Sequence, residues 1–141
     1  MAPLVVFSYK VTSGAQKYDG EGDGGNAFVA RVQTGLERQG CKVEMRHGSA
    51  SGHSVTVDRK QTGANSHSTN FEEWMVFWKG MADQATIVVL FDSDDQGYNG
   101  SSDCQAEARY AKAHCKHCCM GKYIDGGEPA EKIAERIWNK I

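Results

Sequence analysis

A doubly wound α/β domain, three layers deep with a central parallel sheet of four to five strands, is the fold class the sequence predicts. Three observations predict it. Strand-like and helix-like segments alternate along the chain. The segment "TIVVLFD", residues 86–92, is continuously apolar, as suits a strand covered by helices on both faces. The 141 residues show no repeat and no linker-like boundary, so one core serves all of them as a single domain.

Residues 4–10, "LVVFSYK", combine β-branched and aromatic side chains and make the first expected strand. The glycine-rich stretch behind them reads as a loop. Asn26 can cap a helix running to Gln39, with Phe28, Val29, Val32 and Leu36 on one face and Gly40 as its stop. "CKVEMRH" alternates, with Cys41, Val43 and Met45 against Lys42, Glu44 and Arg46, the pattern of a second strand. Residues 48–69 are polar and rich in Gly, Ser, Thr and His, with a short strand expected at 55–57. A segment this long inside a compact domain is usually functional or mobile.

Thr69 and Glu72 have the spacing of a capping box. The helix behind them carries Phe71, Trp74, Met75, Trp78 and Met81 at helical spacing, most simply a core-facing stripe. The apolar run 86–92 is the third strand. Ser102 with Gln105 forms another capping box, and the next helix is expected from near Asp103 to near His114. "KYI" at 122–124 is read as a short strand. Pro129 suits the first turn of a closing helix whose Ile133, Ala134, Ile137, Trp138 and Ile141 form an apolar stripe.

Charge and composition exclude some functions. The formal net charge of −2, without any Lys/Arg block, argues against a nucleic-acid binder that works through a basic field. The longest apolar run is too short to span a bilayer, so no membrane segment is expected. The start "MAPLVVFSYK" lacks a basic leader region and enters a strand pattern at once, so no signal peptide is expected. Five cysteines, an odd number, suit reduced thiols and a cytoplasmic location.

One carboxylate stands out. Cys104, Glu107, Ala108 and Ala111 fall at i, i+3, i+4 and i+7, the spacing of a core-facing stripe. Glu is rarely buried without a partner. In doubly wound sheets ligands bind beyond the carboxyl ends of the strands, near the switch in strand order. That rim is expected to hold Ser8, Tyr9 and Lys10 after the first strand, Asp92 onward after the third, and the start of the Glu107 helix.

These residues also carry a family pattern. "VVFSYK" resembles the first-strand "FISY" motif of TIR (Toll/interleukin-1 receptor) domains. "ADQATIVVLFDSDDQGYNGSSDCQAE" resembles the third strand, loop and following helix of that family, and the similarity covers nearly the whole chain. The family's helix start reads Tyr-x-x-Ser-x-Trp-Cys-x-x-Glu, and Tyr98, Ser101, Cys104 and Glu107 occupy the matching positions. Asp103 stands where the family has Trp, a residue that helps to stack the ligand; Tyr98, Trp74 or Phe71 is the candidate substitute. The segment after the second strand is longer than usual, and the chain between the Glu107 helix and the last helix is short, which abbreviates the fourth and fifth strand units.

The resemblance implies a flavodoxin-like fold. Through the family's catalytic branch it also implies cleavage of NAD at the nicotinamide–ribose bond in signalling or innate immunity, with Glu107 catalytic. NAD is then the substrate and no further cofactor is implied, the product being linear or cyclic ADP-ribose. Ser8, Tyr9, Lys10, Tyr98, Ser101, Cys104 and Trp74 are the expected substrate-binding residues, and self-association through TIR–TIR contacts is expected. The alternatives are a non-catalytic TIR interaction module and a nucleoside or nucleotide N-glycosidase.

The chemistry stands apart from the family. Cleaving an N-glycosidic bond to a cationic pyridinium releases a neutral leaving group, so no general acid is required. A single carboxylate near the ribose can hydrogen-bond its hydroxyls and stabilise an oxocarbenium-like state. The bland alternative pairs Glu107 with Arg109 or Lys112 at the surface. Two other motifs compete. "DSDDQGYNGSSD" has calcium-loop features, but a strand precedes it and Asp103 stands where a bidentate Glu is needed. "HCKHCC" offers Cys115, Cys118 and Cys119 with histidines, yet lacks the second, separated pair that a structural zinc site commonly uses.

Overall fold

The computed structural model of the chain describes residues 3–9, 24–44, 71–92, 96–100, 102–121 and 128–141. The elements are β1 (Leu4–Ser8), α1 (Gly24–Arg38), β2 (Lys42–Glu44), α2 (Phe71–Gln84), β3 (Ile87–Leu90), the single turn α3 (Gln96–Asn99), α4 (Ser102–His114), β4 (His117–Cys119) and α5 (Ala130–Trp138). The strands form one parallel sheet in the order β2-β1-β3-β4, the doubly wound arrangement. Val5 lies beside both Val43 and Ile87, and Val89 lies beside Cys118.

Alternation along each strand divides the core in two. Val5, Phe7, Ile87, Val89, Phe91 and Cys118 face α1 and α5, joined there by Val32, Leu36, Ile133 and Ile137. The Phe7 and Phe91 rings meet edge to face, with centroids 4.9 Å apart. Val6, Val88 and Leu90 face α2 and α4, against Met75, Trp78, Ala82, Ala108 and Ala111. The sheet therefore has helices on both faces, and all four residues of β3 are buried, as a continuously apolar strand requires.

Helix boundaries follow local chemistry. α1 begins two residues before Asn26 and ends on a left-handed Gly40 (φ 100°). There Gly40 N–H donates to Glu37 O at 3.0 Å and Cys41 N–H to Leu36 O at 3.1 Å. That pair of reversed bonds is a Schellman stop, which the sequence signalled by placing Gly just past the last apolar position. Pro129 is the N-cap of α5 with extended backbone (φ −61°, ψ 151°), one place before the first turn.

The fourth strand of the sheet stands where no strand was expected. β4 is built from His117–Cys119, the run that had the look of a metal motif. Strand alternation buries Cys118 in the α1/α5 core and leaves His117 and Cys119 exposed, so these residues do not converge. Among the described residues no three His, Cys, Asp or Glu side chains come together as a metal site would need. No described helix is long and apolar enough to cross a membrane. The polar segment 48–69 with its expected strand at 55–57, Thr69, and the strand expected at 122–124 lie outside the described residues.

Burial pushes the Cys118 thiol up to about 12. The unfolded thiol ionises near pH 8.5, so the unfolded state loses this proton first as pH rises. The stability tied to a neutral Cys118 is full below about pH 8.5 and is lost as pH climbs towards the folded value. Urea denaturation at stepped alkaline pH is expected to show this decline. Cys118→Ala should make the decline shallower, and an unchanged slope in that variant would remove Cys118 as a contributor.

Candidate functional site

Three side chains from separate segments meet at the carboxyl end of β1. Ser8 is the last residue of β1 and lies beside Leu90 of β3, on the face covered by α2 and α4. Glu107 projects from the second turn of α4 on the stripe it shares with Cys104, Ala108 and Ala111, all of them buried. Tyr98 comes from α3 between β3 and α4. β1 and β3 are neighbours whose following helices leave for opposite faces of the sheet. The cluster therefore sits at the topological switch point, where such folds bind ligands.

The geometry fixes the direction of the hydrogen bonds. Ser8 Oγ donates to Glu107 Oε1 at 2.7 Å. A serine hydroxyl has one hydrogen, so the 2.8 Å bond between Ser8 Oγ and Tyr98 OH has Tyr98 as donor. The chain runs Tyr98 to Ser8 to Glu107. Burial pushes the Tyr98 phenol above its ordinary range; the bond to Ser8 opposes this, and the nearby Glu107 carboxylate adds to it. A neutral phenol keeps its hydrogen and remains the donor this relay needs. α3 is tied to α4 by Gln105, whose Nε2 donates to Asn99 O at 3.3 Å.

The exposure of Glu107 is 2% and that of Tyr98 is 1%. A substrate hydroxyl can therefore meet the carboxylate only after this cluster opens. The placement answers the surface alternative: Glu107 points inward, while Arg109 and Lys112 on the same helix are exposed.

The other expected site residues divide into three groups. Cys104 joins the cluster's face, one turn before Glu107, at 4% exposure. Tyr9 does not join it: one residue beyond Ser8 the side chain changes face, and Tyr9 is buried in the α1/α5 core. Lys10 and Ser101 lie outside the described residues, and of Trp74 only the backbone, within α2, is described. Asp92, just past β3, accepts a hydrogen bond from Gly121 N–H at 3.3 Å, which ties the carboxyl ends of β3 and β4 together.

A second concavity lies apart from the expected site residues. It lies between α2 and α4 on the outer surface, with a volume of about 550 Å³, lined by Met75, Val76, Lys79, Arg109, Tyr110 and His114 among others. The sequence did carry a signal for it. Ala106, Arg109, Tyr110 and Ala113 form a second i, i+3, i+4, i+7 stripe on α4, beside the buried one. Comparison with family models, curated proteins and solved structures returns no match.

Proposed function

We propose that the chain is an NAD glycohydrolase, which hydrolyses the nicotinamide–ribose bond of NAD with Glu107 as the catalytic carboxylate. The observation that supports this reading best is the position of Glu107: a carboxylate drawn inward at the switch point of a doubly wound sheet and held by Ser8. Burying a carboxylate costs stability unless it is well bonded, so a fold that retains one at its ligand rim has a reason to do so.

In this reaction the C1′–N bond of the ribose breaks and its electron pair leaves with nicotinamide, which departs neutral. Water adds to C1′, one proton goes to solvent, and ADP-ribose is the other product. Glu107 accepts hydrogen bonds from the ribose hydroxyls and offsets the positive charge that builds on the ring. Opening of the cluster releases Glu107 from Ser8 and exchanges one hydroxyl donor for another.

The direct test is incubation with NAD and quantification of nicotinamide, from dilute protein to concentrated and crowded protein. Release per chain is expected to rise with concentration, because self-association can offset the entropy cost of ordering the site. Absence of nicotinamide at every concentration would end this reading.

A non-catalytic interaction module is the second reading, and one observation favours it. The Tyr98–Ser8–Glu107 chain is satisfied and closed, as a purely structural polar cluster would be. Tyr98→Phe separates the two. Loss of this hydrogen bond is expected to lower stability by about 1 kcal/mol on either reading. On the enzymatic reading nicotinamide release persists or rises, since the variant loosens the closure over Glu107.

A further inference from the structure

We propose that the groove between α2 and α4 is a docking site for an acidic, amphipathic helix of a partner protein. Its floor is aliphatic, and Val76 at its edge is 74% exposed, the exposed large apolar residue among those described. Its rim carries the cations Lys79 and Arg109, and no acidic residue is among the described lining residues, the nearby Asp83 being engaged by the Tyr110 hydroxyl. The chain as a whole carries a net charge of −2, so this local excess of cations is not inherited from the overall composition. Apolar floor and basic rim together complement a helix with an aliphatic stripe flanked by Asp or Glu.

The dimensions favour a helix. Ala106 and Ala113 lie seven residues apart on α4, two turns and about 10.5 Å along the axis. That interval matches the i, i+4 and i+7 anchors of an incoming helix, and two alanines let its backbone approach closely. A planar base is a poorer occupant. The Tyr110 ring already carries the Lys79 ammonium 5.1 Å from its centroid and packs against the His114 ring at 4.6 Å. Its hydroxyl donates to Asp83 Oδ1 at 2.5 Å. The ring is engaged on the protein's own account and stiffens the groove rather than offering a stacking platform.

The experiment uses the whole chain and two synthetic helical peptides, one with leucines at i, i+4 and i+7 flanked by Glu, the other with Lys for every Glu. Fluorescence anisotropy is expected to show the Glu peptide binding roughly tenfold or more tighter than the Lys peptide, with affinity falling as salt is added. The double variant K79E/R109E should invert the preference, and Val76→Asp should weaken both peptides. All three positions are exposed, and the wild-type comparison requires no variant. Equal or absent binding of the two peptides overturns the proposal. Sedimentation showing a dimer that Val76→Asp abolishes would make a second copy the occupant. Displacement of the Glu peptide by phosphatidylserine vesicles that retain the chain would assign the groove to an anionic membrane surface.

Discussion

Glu107→Gln is expected to abolish nicotinamide release, by about 10³-fold, and to leave the fold intact. The amide keeps the shape of the carboxyl and can still accept the hydrogen bond from Ser8 Oγ, which reaches Oε1 at 2.7 Å in the native chain. It cannot offset a developing cation on the ribose. Two opposing terms enter the stability change. A charge-assisted bond from Ser8 becomes a neutral one, a loss of roughly 1 kcal/mol. Replacing a carboxylate at 2% exposure by a neutral group relieves the cost of burying its charge. The two terms oppose each other, so the melting temperature should hold while activity disappears. A folded Glu107→Gln protein that turns over NAD at the native rate would end the catalytic assignment.

The fold was more legible than the site. β3 and the α5 stripe were plain because burial on both faces, or on one face at helical period, leaves a direct mark on composition. The end of α1 was plain because only a left-handed residue completes that stop, and Gly40 supplies it. The strand at 117–119 is hard to read from sequence because Cys and His carry weak strand preference, and their chemistry points to a ligand set instead. What decides that strand is its pairing with β3, a tertiary contact that local pattern does not encode.

Within the site, periodicity turned Glu107 inward, and that reading agrees with its burial. The bonds from Ser8 to Tyr98 and Glu107 span 90 and 99 residues, and no local pattern connects residues so distant. Tyr9 follows Ser8 in sequence, yet a strand sends neighbours to opposite faces, so the two do not share the site. The stripe Ala106, Arg109, Tyr110 and Ala113 that lines the groove between α2 and α4 is visible in sequence, but that it faces a groove depends on where α2 packs.

Two glycine-to-alanine substitutions in helices should shift stability in opposite directions. Alanine is the better helix former by about 1 kcal/mol, and that gain is available at both Gly35 and Gly80. At Gly80, on the exposed side of α2, an added Cβ meets nothing within 4 Å, so Gly80→Ala should raise the melting temperature. At Gly35 the added Cβ would lie 2.7 Å from Ala134 Cβ, where α1 crosses α5. Carbon atoms prefer about 3.5–4.0 Å, and both atoms here are fixed to their backbones, so relief requires the helices to part. Overpacking of this kind costs about 1–3 kcal/mol, enough to exceed the propensity gain, and the melting temperature should fall by several degrees. The double variant Gly35→Ala with Ala134→Gly moves the methyl to the facing helix and should recover much of the loss. Because α1 and α5 lie on the sheet face opposite Ser8 and Glu107, Gly35→Ala should leave nicotinamide release per folded chain unchanged. A rise in melting temperature for Gly35→Ala matching that of Gly80→Ala would show that α1 and α5 are not held at this close approach.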